Sequence, residues 1–99
     1  MNPNMPTDGF PTAENLHRTL QQSLQPSALE VIDETSLHAG HEGAQGRSSG
    51  THFRVRIGGA QLDGLSRVAA HRLVYDSLRS YMEAGLHALA IERIPSNTL

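Results

Sequence analysis

Three histidines, His38, His41 and His52, fall within the stretch TSLHAGHEGAQGRSSGTHF, and a fourth, His87, opens the apolar run LHALAI. Imidazole is the side chain that most readily serves as both a proton carrier and a neutral metal ligand near neutral pH. The chain has 99 residues and no cysteine, so it has no disulfide and no thiolate of its own to hold a metal. Read from the residues alone, the loop histidines are either solvated side chains in a segment rich in glycine and serine or ligands for a metal.

Other chemistry is poorly supplied. Ser66, His71 and Asp76 are the residue types of a nucleophile relay, but they sit five apart on one helical stretch. Residues at that spacing project in different directions, so no nucleophile–base–orienter chain forms. There is no phosphate-binding glycine loop of the Walker type and no paired-carboxylate constellation, which argues against catalysis.

Eight arginines, no lysine and ten acids leave a formal charge of −2, whereas phosphate-neutralising proteins are usually strongly basic. A KH-type RNA clamp needs a GxxG loop between helices; the segment GAQLDGLS offers Gly59 and Gly64 without it. Arg72 and Arg79, seven apart, share a helical stripe with Arg67 off to one side. Together with Arg54 and Arg56 they give some basic surface. No apolar run approaches the ~20 residues needed to cross a bilayer, and MNPNMPTDGFPTAEN has neither the basic nor the apolar region of a signal peptide. A cytoplasmic protein without membrane association is expected.

The elements that must position these residues follow from periodicity. Residues 1–11, with Pro3, Pro6, Gly9 and Pro11, read as a disordered tail, and residues 96–99 as a short C-terminal one. Thr12 caps a helix whose Leu16, Leu20 and Leu24 recur every four residues until Pro26 ends it. ALEVIDE alternates as a first strand. THFRVRI is a two-faced strand, with Phe53, Val55 and Ile57 inward and His52, Arg54 and Arg56 outward. On that pattern His52 reads as a solvated strand residue. Ser66 caps one long helix with Ala70, Val74, Leu78 and Tyr81 as its stripe, and Gly85 stands at its C′ position. A short final strand follows and ends at Pro95. The order α-β-β-α-β implies a three-stranded mixed sheet with both helices on one face, a two-layer α/β sandwich over residues 12–95.

Four motifs in this order, LEVIDETSLHAGH, THFRVRI, LDGLSRVAAHRLVYDSL and LHALAI, resemble the BolA family from Leu16 to Ile94. The resemblance implies a class II KH-like fold and a non-catalytic partner of monothiol glutaredoxins, with which BolA-like proteins share a [2Fe–2S] cluster in iron and redox homeostasis. Some bacterial members are described as DNA-binding regulators of cell shape and stress, which makes DNA binding through the second helix the alternative.

The family's cluster ligands lie in the loop after the first strand and near the start of the last. The matching positions are His38 in DETSLH and His87 in LHALAI, with His41 either an alternative ligand or a solvated loop residue. Two imidazoles can replace two thiolates on one iron, as in Rieske centres. The remaining ligands would come from a glutaredoxin cysteine and glutathione, and the isolated chain, a monomer or weak homodimer, would carry no cofactor. His71 matches the family's helix histidine and reads, with Arg67, Arg72 and Arg79, as partner or nucleic-acid surface. Two departures stand out: Ala70 replaces the usual arginine before His71, which removes a charge, and Leu62 replaces a phenylalanine.

Overall fold

A computed structural model describes residues 9–38 and 50–94. The elements are α1 (Ala13–Leu24), β1 (Ala28–Asp33), a 3-10 turn (Thr35–His38), β2 (His52–Gly58), α2 (Arg67–Ser77), α3 (Arg79–Glu83) and β3 (Ala88–Arg93). The expected tails fall largely outside the described residues. At residues 10 and 11 the chain is already tied to the domain: Pro11 is buried, and the Phe10 carbonyl accepts a hydrogen bond from the Asn15 side chain at 3.0 Å.

Helix α1 begins where the sequence places it. The Thr12 hydroxyl accepts the Asn15 N–H at 3.0 Å, satisfying one of the free donors of the first turn. Its leucine stripe, Leu16, Leu20 and Leu24, is buried. The sheet has the order β1-β2-β3, with β1 antiparallel and β3 parallel to the central strand. Pairing Leu29 with Ile57 and Val31 with Val55 on one side, and Phe53 with Leu89 and Val55 with Ile91 on the other, puts one apolar row across all three strands. That row and the buried stripes of α1 and α2 form a single core, in which Leu16, Leu20, Val55, Ile57, Ala70, Val74 and Leu78 are inaccessible to solvent. The mixed α/β sandwich expected from the sequence is the one observed.

The second helix differs from the expectation. Instead of one long helix it is two, broken at Leu78, whose N–H is shared between the carbonyls of Val74 and Tyr75 at 3.2 and 3.1 Å. One residue earlier, the Ser77 hydroxyl donates to the Leu73 carbonyl at 2.9 Å. Such back-bonding diverts a main-chain acceptor and bends helices. Beyond the break Tyr81 is buried, and its hydroxyl meets the Thr19 hydroxyl of α1 at 2.8 Å. Helix α3 then stops in a Schellman arrangement: Gly85 takes φ 124°, its N–H reaches the Met82 carbonyl at 3.4 Å, and the Leu86 N–H reaches that of Tyr81 at 3.0 Å. This stop turns the chain into β3 immediately after His87.

Gly58, the last residue of β2, lies against Ile94, the residue after β3, whose N–H donates to the Ile57 carbonyl at 2.8 Å. A Cβ at Gly58 would stand 2.0 Å from the Ile94 carbonyl oxygen, a backbone atom that cannot swing aside. Gly58→Ala is therefore expected to destabilise the domain by about 3 kcal/mol, the upper end of overpacking costs. Urea denaturation followed by circular dichroism measures this.

Candidate functional site

The turn that ends at His38, the entry of β2 at His52 and the link that carries His87 are tied together at one corner of the sheet, built around Asp33 and Thr35. The Asp33 carboxylate accepts the Thr35 N–H at 2.9 Å and the Thr35 hydroxyl at 2.6 Å through Oδ1, and the Gly50 N–H at 3.0 Å through Oδ2. It therefore clasps the chain just before and just after residues 39–49. The Thr35 side chain is buried, and its oxygen in turn accepts the N–H groups of Thr51 and His52 at 3.0 and 3.1 Å. Thr51 continues the relay: its carbonyl accepts the N–H groups of His87 at 2.7 Å and of Ala88 at 3.0 Å. The root of the histidine loop and the backbone of His87 thus belong to one hydrogen-bonded unit.

His87 is exposed, on the short link between α3 and β3. His52 is not the solvated residue its strand position suggests, being only 8% exposed. Its Nδ1 lies 2.9 Å from the Thr51 hydroxyl, and its ring centroid is 5.5 Å from that of His87 at an interplanar angle of 47°. Alternation assigns His52 to the open face correctly. It does not reveal that the register of β2 with β3, His52 opposite Ala88, seats a second histidine ring over it. The signal available in the sequence was that His87 immediately precedes this small alanine. A shallow hollow of about 210 Å³ opens beside the pair, lined by Glu34, His52, Arg54, Ala88 and Ala90 among others.

His38 closes the 3-10 turn, next to the clasp, and its side chain lies outside the described residues, as does the whole of His41. His71 is half-buried on α2. Arg67 and Arg72, expected on different sides of the helix, line one shallow depression with Val68, His71 and Tyr75. The strip carries exposed apolar surface at Val68 and Tyr75 and is joined to β3 by the Tyr75 hydroxyl, which donates to the Leu89 carbonyl at 3.2 Å. Arg79 instead pairs with Asp76 at 2.7 Å. Ser66 and Asp76 are thereby committed elsewhere, Ser66 as the α2 cap accepting the Ala69 N–H.

The open sheet face is also less basic than its arginines suggest. Arg56 is paired with Glu30 opposite it on β1 and Glu92 opposite it on β3, at 3.0 and 3.2 Å. Arg54 bridges Glu34 at 2.8 Å and the same Glu92. Hydrogen bonding to Glu34, reinforced by its charge and by Glu92, raises the Arg54 pKa further above its ordinary value. Among the described residues no three histidine, cysteine or acidic side chains gather closely enough to hold a metal ion by themselves.

The clasp gives a direct test. Thr35→Val preserves shape but removes the acceptor of two buried N–H groups and a donor to Asp33, with an expected cost of about 2–4 kcal/mol. Thr35→Ser keeps the hydroxyl and loses one methyl, for a cost of about 1 kcal/mol. Equilibrium denaturation of the two variants separates the hydroxyl from the methyl.

Comparison with known proteins agrees with this geometry. The family description "BolA-like protein" matches residues 20–97. A Sinorhizobium protein described as an uncharacterized protein in a cobS 5′ region is 42% identical over 79 residues, covering 80% of this chain and 85% of its own length. Chloroplastic BOLA1 of Arabidopsis thaliana is 41% identical over 88 residues; the chain spans 87% of itself but about half, 55%, of that protein. Among solved structures, the BolA domain of SufE1 from the same plant superposes with a TM-score of 0.76 at 36% identity, covering 88% of this chain and 94% of that one. Arabidopsis BolA1 does so at 0.70 and 40%, covering 84% and 89%. The family match over residues 20–97, with relatives above 40% identity and superposable BolA structures, shows that the chain belongs to the BolA family.

Proposed function

We propose that this protein is a non-catalytic partner of a monothiol glutaredoxin and that His87 and His38 are its ligands to a [2Fe–2S] cluster shared between the two. The observation that carries this reading is the exposed ring of His87, whose backbone is hydrogen-bonded to the same unit that clasps the root of the His38 segment. The donor set fits such a group. Two imidazoles can take the place of two thiolates on one iron, and a chain without cysteine must obtain the remaining thiolates from outside. A glutaredoxin cysteine and glutathione supply them in this reading, in a reducing compartment such as the cytoplasm. His41, three residues beyond His38, is the alternative donor from the same segment.

When bound, the cluster supplies one-electron chemistry and a transferable iron–sulfur unit. The chain's own residues do the rest. Asp33 and Thr35 bring the two ends of the histidine segment to the His87 corner, and the Thr51 carbonyl holds the His87 backbone. The Glu30–Arg56–Glu92–Arg54–Glu34 ladder ties the three strands together across the open face.

DNA binding through α2 has narrower support, because Arg79, Arg54 and Arg56 are all engaged by carboxylates. It would rest on Arg67 and Arg72.

The test is an anaerobic titration of the protein into glutathione-bound, cluster-loaded monothiol glutaredoxin, followed by visible absorption and circular dichroism. The expected result is a changed spectrum that saturates at a one-to-one ratio, is lost in His87→Ala, and is weakened or lost in His38→Ala while folding is retained. An unchanged spectrum, or a full response in the double variant, contradicts the proposal. A salt-dependent shift of duplex DNA that is abolished by Arg67→Ala and Arg72→Ala together would favour the alternative.

A further inference from the structure

His52 is a buried imidazole with no role in the ligand set proposed above, and its surroundings give it one. We propose that His52 is a positioning residue: its ring holds the exposed imidazole of His87 in the single orientation that a partner's cluster meets. The inference rests on the cluster-sharing reading, but its first test does not.

Three observations carry it. First, the His52 ring is itself fixed, 8% exposed and with its Nδ1 2.9 Å from the Thr51 hydroxyl. Second, the His87 ring packs against it, centroid to centroid at 5.5 Å and tilted by 47°, an edge-inclined arrangement favoured between aromatic rings. Third, the two backbones are locked in the same register. The Thr51 carbonyl accepts the N–H groups of both His87 and Ala88, and His52 pairs with Ala88 across the strands.

An exposed histidine otherwise samples three staggered χ1 wells. A ligand that must first be selected from that mixture binds more weakly than one already in place, which is the general basis of preorganisation. Ligating histidines are ordinarily oriented by a second group. Here that group is a neighbouring ring anchored by a threonine.

The test uses His52→Ala, which removes the ring, and His52→Phe, which retains an aromatic wall without a donor nitrogen. In the isolated chain, NMR couplings report the His87 χ1 populations and nuclear Overhauser contacts report the ring pair. The wild type and His52→Phe are expected to show one dominant rotamer, and His52→Ala a mixture. In the glutaredoxin titration, His52→Ala is expected to weaken cluster retention on the order of threefold to tenfold, with His52→Phe restoring it and His87→Ala abolishing it.

An unchanged His87 rotamer in His52→Ala overturns the inference. So does loss of the cluster in both His52 variants, which would make His52 a ligand itself. If wild-type protein takes up no cluster while the rotamer effect is present, the cluster reading fails and the positioning contact stands.

Discussion

The hydroxyl of Thr35 is the constraint on which the functional corner depends. A single buried oxygen donates to Asp33 and accepts from two consecutive backbone N–H groups at the start of the central strand. Those N–H groups lie at a strand entry, where buried main-chain donors must find partners or impose a desolvation cost. One side chain satisfies both, and with Asp33 it ties the end of β1 to the entry of β2 on either side of the histidine-bearing segment.

The same corner shows how one sheet serves two purposes. Its helix-facing side is a continuous apolar layer, and that layer fixes the register of all three strands. Once the register is fixed, the opposite face is determined: Arg56 must lie between Glu30 and Glu92, and His52 beside Ala88. The charged ladder is therefore a consequence of core packing, while the histidine pair also needs the Thr51 carbonyl, which holds the His87 backbone. Exposed ion pairs of this type contribute little to stability one at a time. Their effect here is on surface character, since they convert a face with two arginines into one where both are engaged.

Much of the fold was legible because periodicity and caps are local properties. The Leu16–Leu20–Leu24 stripe, the Thr12 and Ser66 caps, Gly85 after the last helix and the inward row of β2 each depend on a few neighbouring residues. What escaped was long-range or competitive. The break at Leu78 reflects Ser77 bonding back to Leu73, a contest between side chain and backbone that the apolar stripe does not reveal. The ring that lies against His52 comes from a residue 35 positions away in the chain, and the pairing of Arg54 and Arg56 depends on Glu30, Glu34 and Glu92. The ligand assignment of His38 and His87 came from family resemblance; the residues alone left the loop histidines open between ligand and solvated side chain. The structure describes the backbone turn that ends at His38 and the exposed His87, and adds the buried His52, whose ring lies against that of His87.

The central claim is that imidazole nitrogen from this chain binds iron in the shared cluster. The most direct measurement is pulsed electron paramagnetic resonance of the reduced cluster in the complex, with this chain alone labelled with 15N-histidine. Strong hyperfine coupling to labelled nitrogen, reduced when His87 or His38 is replaced by alanine, is the predicted result. A spectrum indifferent to the label would show that the cluster is held without this chain's histidines and would contradict the account.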